Sequence, residues 1–506
     1  MKLRTSLAML AAGCAAIATP AQADDLRDAL LAAYQTNPTL EAARAQQRAT
    51  DENVVIERAS TRANASASAN YSEFLYNSGD NPGPSRSVGG SVNVGYPIFD
   101  GGGNRNAVQA AEVRVVAGRA DLRGTESFIF TQVVSAYMDV ILNEAIVALN
   151  ERNVSVLSVN LEATSDRFQI GDLTRTDVAQ SEARLALARG DLRQARANLL
   201  QSRENYIAIV GLAPDNLQPP PPLPGMPRSA EEAVETALAN NPDLIAARER
   251  ARASGYDIRV AGSSRMPSVD VFVGGDYSDF LGSVPTAAEA IIANNSSSVT
   301  AGVRATIPLY QGGRPAALER QAQARASAAQ EQVIATERDV VAQTRSAYAS
   351  WQAALSIIAS SQAAVDAAAL SLEGVRAENS IGNRTVLDVL NAEQELLRTQ
   401  VQLATAKRNA YVSGFALLAV MGRAEARDLG LDAYGPLYDP VVNYDRSTAI
   451  VWDWASDPDP VTRSPGTVDI PAQDGEIDGS VDPANDVLGD VNTVTEDGAG
   501  DGTLGL

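Results

Sequence analysis

The sequence predicts a mixed fold of very long helices and membrane-type β-strands, built as two tandem repeats that each pair two strands with a helical hairpin. Three observations predict it: segments that return in order along the chain, a stretch of helix former free of glycine and proline, and four short runs of alternating polarity.

The repeat comes first, because it orders everything else. Ala33-Tyr34-Gln35-Thr36-Asn37-Pro38-Thr39-Leu40 returns as Ala237-Leu238-Ala239-Asn240-Asn241-Pro242-Asp243-Leu244. Asn70-Tyr71-Ser72-Glu73-Phe74-Leu75 returns as Asp276-Tyr277-Ser278-Asp279-Phe280-Leu281, and Tyr96-Pro97-Ile98-Phe99-Asp100-Gly101-Gly102 as Ile307-Pro308-Leu309-Tyr310-Gln311-Gly312-Gly313. Ser135-Ala136-Tyr137 pairs with Ser346-Ala347-Tyr348, and Ile170-Gly171 with Ile381-Gly382, all at separations between 204 and 211 residues. Repeat 1 is assigned to 24–213 and repeat 2 to 229–430, with 214–228, rich in proline at Pro219 to Pro222, as the linker between them.

Residues 316–373 contain neither glycine nor proline, which at 1.5 Å per residue makes a helix of about 87 Å. Its apolar residues fall on seven-residue rows, Val333, Val340, Ala347 and Ala354 on one and Trp351, Ile358, Val365 and Leu372 on another. Such rows imply supercoiled packing against other helices, and the alanines permit close approach. In repeat 1 only Gly118 and Gly124 interrupt the matching composition. Each long helix is expected to end at its Ile-Gly pair and to be followed, after Thr174 or Arg384-Thr385, by a second helix.

The strand expectations are 63–76, 86–98, 267–281 and 298–309. In the last of these Val299, Ala301, Val303, Ala305 and Ile307 alternate with Ser298, Thr300, Gly302, Arg304 and Thr306. Segments of about ten alternating residues are the signature of membrane barrels, which begin at about eight strands. Four strands cannot close one, and an open edge is not tolerated in lipid, so the chain must oligomerise: two copies give eight strands and three give twelve. Loops 77–85 and 282–297 are the expected outer turns.

Composition narrows the function. Lys2 and Arg4, the apolar run from Leu7, and Ala21-Gln22-Ala23 before Asp24 make residues 1–23 a secretory signal peptide. Lipoprotein processing at Cys14 is the competing reading, but Ala11 stands where leucine is usual. With the single cysteine inside that signal and no histidine in the chain, thiolate chemistry, disulfides and the usual zinc sets drop out, and no cofactor or catalytic constellation is expected. The net charge of −21 argues against nucleic acid as a partner. Much of it lies in residues 431–506, where acids outnumber bases and the expectation is a disordered acidic tail without an EF-hand register. Trp452 and Trp454 either anchor a short docked segment there or carry no role.

Together these features resemble the TolC-like outer membrane factors. The resemblance covers roughly residues 25–430 and rests on the Asn-Pro repeat starts, on Pro308-Leu309-Tyr310-Gln311-Gly312-Gly313 and on Ile381-Gly382-Asn383-Arg384-Thr385-Val386-Leu387-Asp388-Val389-Leu390. It implies a homotrimer: a 12-stranded outer-membrane β-barrel continuous with a periplasmic α-helical barrel. It also implies a passive exit duct for efflux or type I secretion, with a periplasmic adaptor (membrane fusion) protein and an inner-membrane pump or ABC transporter as partners. Motif by motif, Asp177, Arg384 and Asp388 fall on the family's periplasmic gate positions, where an Arg–Asp link would hold the tube shut and rings of aspartate would favour cations. Asn379 and Asn391 stand where well-known members carry a tyrosine and a second aspartate, which implies fewer links and a less charged ring. A local alternative is that Asp177 and Asp388 simply stabilise helix N-termini. A coiled-coil adaptor would share the heptads and the signal, but not four strands at matching points of both repeats.

Overall fold

A computed structural model describes residues 25–76, 84–285, 288 and 292–477. The expected signal peptide and the end of the acidic tail lie outside these residues, as do most of the first expected outer turn and part of the second.

Along the chain run α1 (Leu26–Thr36), α2 (Pro38–Ala59), β1 (Asn64–Glu73), β2 (Arg86–Phe99), α3 (Gly103–Gln169) and α4 (Arg175–Val210). After the proline-rich stretch follow α5 (Ala230–Asn240), α6 (Pro242–Ser263), β3 (Ser268–Asp279), β4 (Asn295–Thr306), α7 (Arg314–Ser380), α8 (Val386–Val420) and α9 (Pro440–Ala449). The α3 and α7 helices have 67 residues each, about 100 Å of helix. They pack antiparallel to α4 and α8 as two hairpins, α6 lies between α3 and α7, and α8 also packs on α3. Val340, Trp351, Ala354, Ile358 and Leu372 of the predicted heptad rows are buried.

Two glycines that looked like interruptions mark crossings instead. A Cβ on Gly118 would run into the side chain of Gln47 on α2, and one on Gly124 would sit 3.4 Å from Asp243 Oδ1 at the start of α6. The α3 helix continues through both, because hydrogen bonding along the helix survives glycine and the saved volume lets the neighbours approach.

The Asn-Pro pairs have a specific job. Proline cannot continue α1 or α5 but suits the first turn of a new helix. Asn37 accepts from the amides of Thr39 and Leu40, and its Nδ2 donates to the Ile209 carbonyl at 2.9 Å. Asn241 accepts from the Leu244 amide and donates to the Val420 carbonyl at 2.9 Å. Each asparagine therefore caps one helix and satisfies the C-terminal end of a hairpin's return helix, α4 or α8. The linker is pinned similarly, with Tyr137 donating to the Gln218 carbonyl (2.6 Å), Tyr411 to Pro221 (3.0 Å) and Tyr348 to Arg228 (3.0 Å). The main core gathers here, around Leu40, Phe130, Tyr137, Leu199, Tyr206 and Phe415.

The strands form one antiparallel sheet in the order β1-β2-β3-β4. The registers Val92 opposite Ala67 and Gly275, and Val303 opposite Val271, place every strand's alternating apolar set on the same face. That face carries Tyr71, Val92, Val94, Tyr96, Val273, Tyr277, Val299 and Val303, all exposed in the single chain. The opposite face carries Ser66, Ser68, Asn70, Ser91, Asn93, Asp270, Asp276, Thr300 and Arg304. Strand β4 starts at Asn295, inside the expected turn, because Phe280 N–H donates to the Asn294 carbonyl and closes the hairpin earlier. It ends at Thr306, before the proline that cannot join the ladder.

The expectation of disorder from 431 is corrected up to 477. Leu431 is fully buried, and α9 lies on α2, where Asn443 donates to Asp51 and Arg58 donates to the Tyr444 hydroxyl. Further on, Arg203 of α4 holds Asp474 and the Glu476 carbonyl, and Arg196 pairs with Glu476 at 3.6 Å. Two of the acids that suggested disorder, Asp474 and Glu476, meet arginines of the distant helix α4, which composition alone does not reveal. Trp452 and Trp454 are exposed, and Tyr444 makes the docking contact instead.

Glu126 on α3 lies against the end of the second repeat, where it accepts from the Ala426 amide. Burial pushes its pKa up to about 7 from 4.5, over the opposing pull of that amide. The unfolded carboxyl releases its proton first, so the folded state loses stability as pH rises from 4.5 through 7. Glu126→Gln is therefore expected to raise the melting temperature at pH 8 and to leave it unchanged near pH 4.5, read by circular dichroism. Asn241→Ala should cost about 1–2 kcal/mol through the lost cap and the orphaned carbonyl, and Asn241→Asp, which keeps the cap, less.

Candidate functional site

The hairpin tips are built the same way twice. At the ends of α3 and α7 the chain turns through Gly171 (φ +85°) and Gly382 (φ +82°), a left-handed conformation that side chains with a Cβ adopt at a penalty. The returning amides of Asp172 and Asn383 donate to the Arg167 and Glu378 carbonyls, each at 2.9 Å, which satisfies groups the helix ends leave open. Thr174 and Thr385 then start α4 and α8 with reciprocal capping boxes. Asp177 accepts from Thr174 N–H at 2.9 Å and its hydroxyl at 2.7 Å, and Asp388 accepts from Thr385 at 3.0 and 2.7 Å. Those threonine hydroxyls, with the amides, hold both carboxyls below the usual aspartate range. Both aspartates are thus N-terminal capping residues, whatever else they do.

Arg384 is half exposed and pairs with Glu378 on the last turn of α7, Nε to Oε2 at 2.6 Å. Asn379 supports the same turn by donating to the Arg384 carbonyl at 2.7 Å. Within one protomer, then, Arg384, Asn379 and Asp388 share the α7–α8 tip, while Asp177 occupies the other tip. Asn391 lies two turns into α8 from its start and accepts from Arg184 of α4 at 2.8 Å.

That last contact leads to residues the sequence reading did not single out. Arg184 also bonds Gln394, joining α4 to α8. Between those two positions Glu393, almost fully buried, accepts from Asn160 of α3 at 2.8 and 2.9 Å and from Arg376 of α7 at 3.0 Å. Around it Leu157, Leu185, Ala188 and Leu390 form a small apolar cluster across the two hairpins. Glu393 is therefore a polar node joining α3, α7 and α8 in the first hairpin's contact with the second. A signal existed: Glu393 stands three or four residues from Val389, Leu390, Leu396 and Leu397 on one helix face, and a carboxylate on an apolar face needs partners.

Two further comparisons bear on what such tips and such a sheet belong to. The model of the family described as "Outer membrane efflux protein" matches residues 30–212 and 233–423. The chain belongs to the outer membrane efflux protein family. It is 33% identical over 439 residues to the outer membrane efflux protein BepC of Brucella suis, covering 86% of this chain and 93% of that one. It is 25% identical over 423 residues to the outer membrane protein TolC of Escherichia coli, covering 81% and 84%. The solved structure of the outer membrane protein VceC from Vibrio cholerae superposes with a TM-score of 0.65 at 24% identity, over 78% of this chain and 96% of that one, which speaks for the fold.

For this family member, Glu393→Ala should leave Asn160 and Arg376 without their shared acceptor. Amide exchange read by mass spectrometry is expected to rise across the 154–161 and 386–397 segments, while exchange near the Asn37 and Asn241 clamps stays unchanged.

Proposed function

We propose that three copies of this chain assemble so that their sheets close a 12-stranded outer-membrane β-barrel, continuous with a helical barrel that crosses the periplasm. The observation that carries this reading is the sheet itself: one apolar face, one polar face and two edges, β1 and β4, each paired on one side within the chain. In lipid the apolar face points outward, the polar face lines water, and each edge must find a strand from another copy. Val299, 82% exposed, and Val303, 66% exposed, are at home only against lipid.

The assembly is a passive exit duct for efflux or type I secretion. A periplasmic adaptor protein and an inner-membrane pump or ABC transporter are its partners and supply selection and energy. The gate is placed at the tips, where three copies would bring Arg384 and Asp388 of one protomer toward Asp177 of the next. The exposure of Arg384 on the tip of α7 supports a role outside its own protomer. Asn391 in place of a second carboxylate makes the ring less charged, and cation preference rests on Asp388 and Asp177.

Single-channel conductance of purified protein in a planar bilayer tests this reading. A small, cation-selective wild-type conductance that rises several-fold in Arg384→Ser is expected. A channel unaffected by the substitution would move the lock elsewhere, and no conductance from folded protein would sink the duct reading. Chemical cross-linking in detergent is expected to end at a trimer.

A further inference from the structure

Where the two repeats meet, α2, α3, the end of α5 and the segment after α8 enclose a cavity of about 620 Å³. Its lining is unusual for a chain of net charge −21, because five arginines contribute to it: Arg44, Arg119, Arg123, Arg423 and Arg427. Four acids line it too, and each is engaged: Glu425 is taken by Arg123 at 2.7 Å, Asp439 caps α9 through the Val441 amide at 2.8 Å, Glu126 accepts from the Ala426 amide, and Asp428 accepts from the Glu425 amide at 3.4 Å.

The arginines, by contrast, have capacity to spare. The side chain of Arg44 is 7% exposed, clamped between the rings of Tyr34 (4.3 Å) and Tyr438 (5.2 Å), with Nη1 on Glu41 at 2.6 Å. Its Nη2 is buried and has no hydrogen-bond partner among the described residues, and the same holds for Arg119 Nε and the Tyr438 hydroxyl on the same cavity. Arg423 and Arg427 are exposed at the cavity's lining, and neither has an ion pair among the described residues. Five arginines around one cavity, two of them without an ion pair among the described residues and facing only four acids that are already engaged, leave it with excess positive charge, the setting for an oxyanion.

We propose that this cavity binds a small, soluble, multivalent oxyanion, either a phosphate or a polycarboxylate. Lipid headgroups are not its source. Arg44 lies 15 residues before the end of α2 and Arg119 lies 16 after the start of α3, which sets the cavity about 22–24 Å along the helices from the strands. The bound anion would tie α2 and α3 of the first repeat to the segment after α8, so it stabilises the junction as well as occupying it.

Calorimetric titration of the full-length protein in detergent, with inorganic phosphate and with citrate at constant ionic strength, tests the site. Saturable binding of at least one probe is expected, weakened about tenfold or more in Arg119→Gln through loss of a charged donor. Because Arg119 packs on α9 through Tyr444, the exposed pair Arg423→Gln with Arg427→Gln is the second variant, and it should weaken binding without lowering the melting temperature. Phosphate binding alone or citrate binding alone identifies the class and supports the proposal. Heats no larger than those from chloride, or an affinity that neither variant changes, would overturn it. Neither readout depends on channel activity.

Discussion

The outer edges of β1 and β4 carry backbone N–H and C=O groups that no strand among the described residues pairs. In water such edges are covered or charged, but in hydrocarbon each unpaired group costs several kcal/mol. A sheet with one face of valine and tyrosine suits hydrocarbon, and the proposed assembly closes its edges with further copies. The rest of the molecule answers to that closure. Two strands per repeat emerge beside the starts of α3 and α7, and the helices must continue whatever ring the strands define.

The helical part keeps that geometry through a junction rather than through helix propensity. Helices of 67 residues are held along their length by narrow heptad seams, which tolerate bending and sliding. The large core sits at one level only, where Asn37 and Asn241 each cap one helix and close the end of another. Tyr137, Tyr348 and Tyr411 fasten the linker at the same level. Toward the tips packing thins to the cluster around Leu390 and the Glu393 node. That division suits the proposed duct, with its barrel closed to lipid and its gate at the far end.

At the tips the observed capping role of the aspartates and their proposed gate role draw on the same carboxylate. A capping acid is tied to its own threonine and held ionised. It then presents negative charge at the helix start without relying on a neighbour's cation. Arg384, paired only with an exposed glutamate, is worth little where it stands and is free to exchange partners. The exposed contact of Arg184 with Asn391 and the more buried ones of Glu393 with Asn160 and Arg376 fix the two hairpins of one protomer to each other.

The sequence by itself determined the periodicities: alternation of period two for the strands, heptads for the helices, glycine and threonine at the tips and the ordered return of every motif. All but that return are local, since each depends on residues within a few positions of one another. The polarity of the two sheet faces follows from the same alternation. Only the tertiary structure decided which strands neighbour which, why Gly118 and Gly124 are tolerated, and that residues 431–477 are held rather than loose. It alone shows that Glu393 has partners on α3 and α7, and that five arginines from separate segments share one cavity. Those facts join residues far apart in the chain, and an arginine on α4 carries no local mark of the aspartate hundreds of positions away that it will meet.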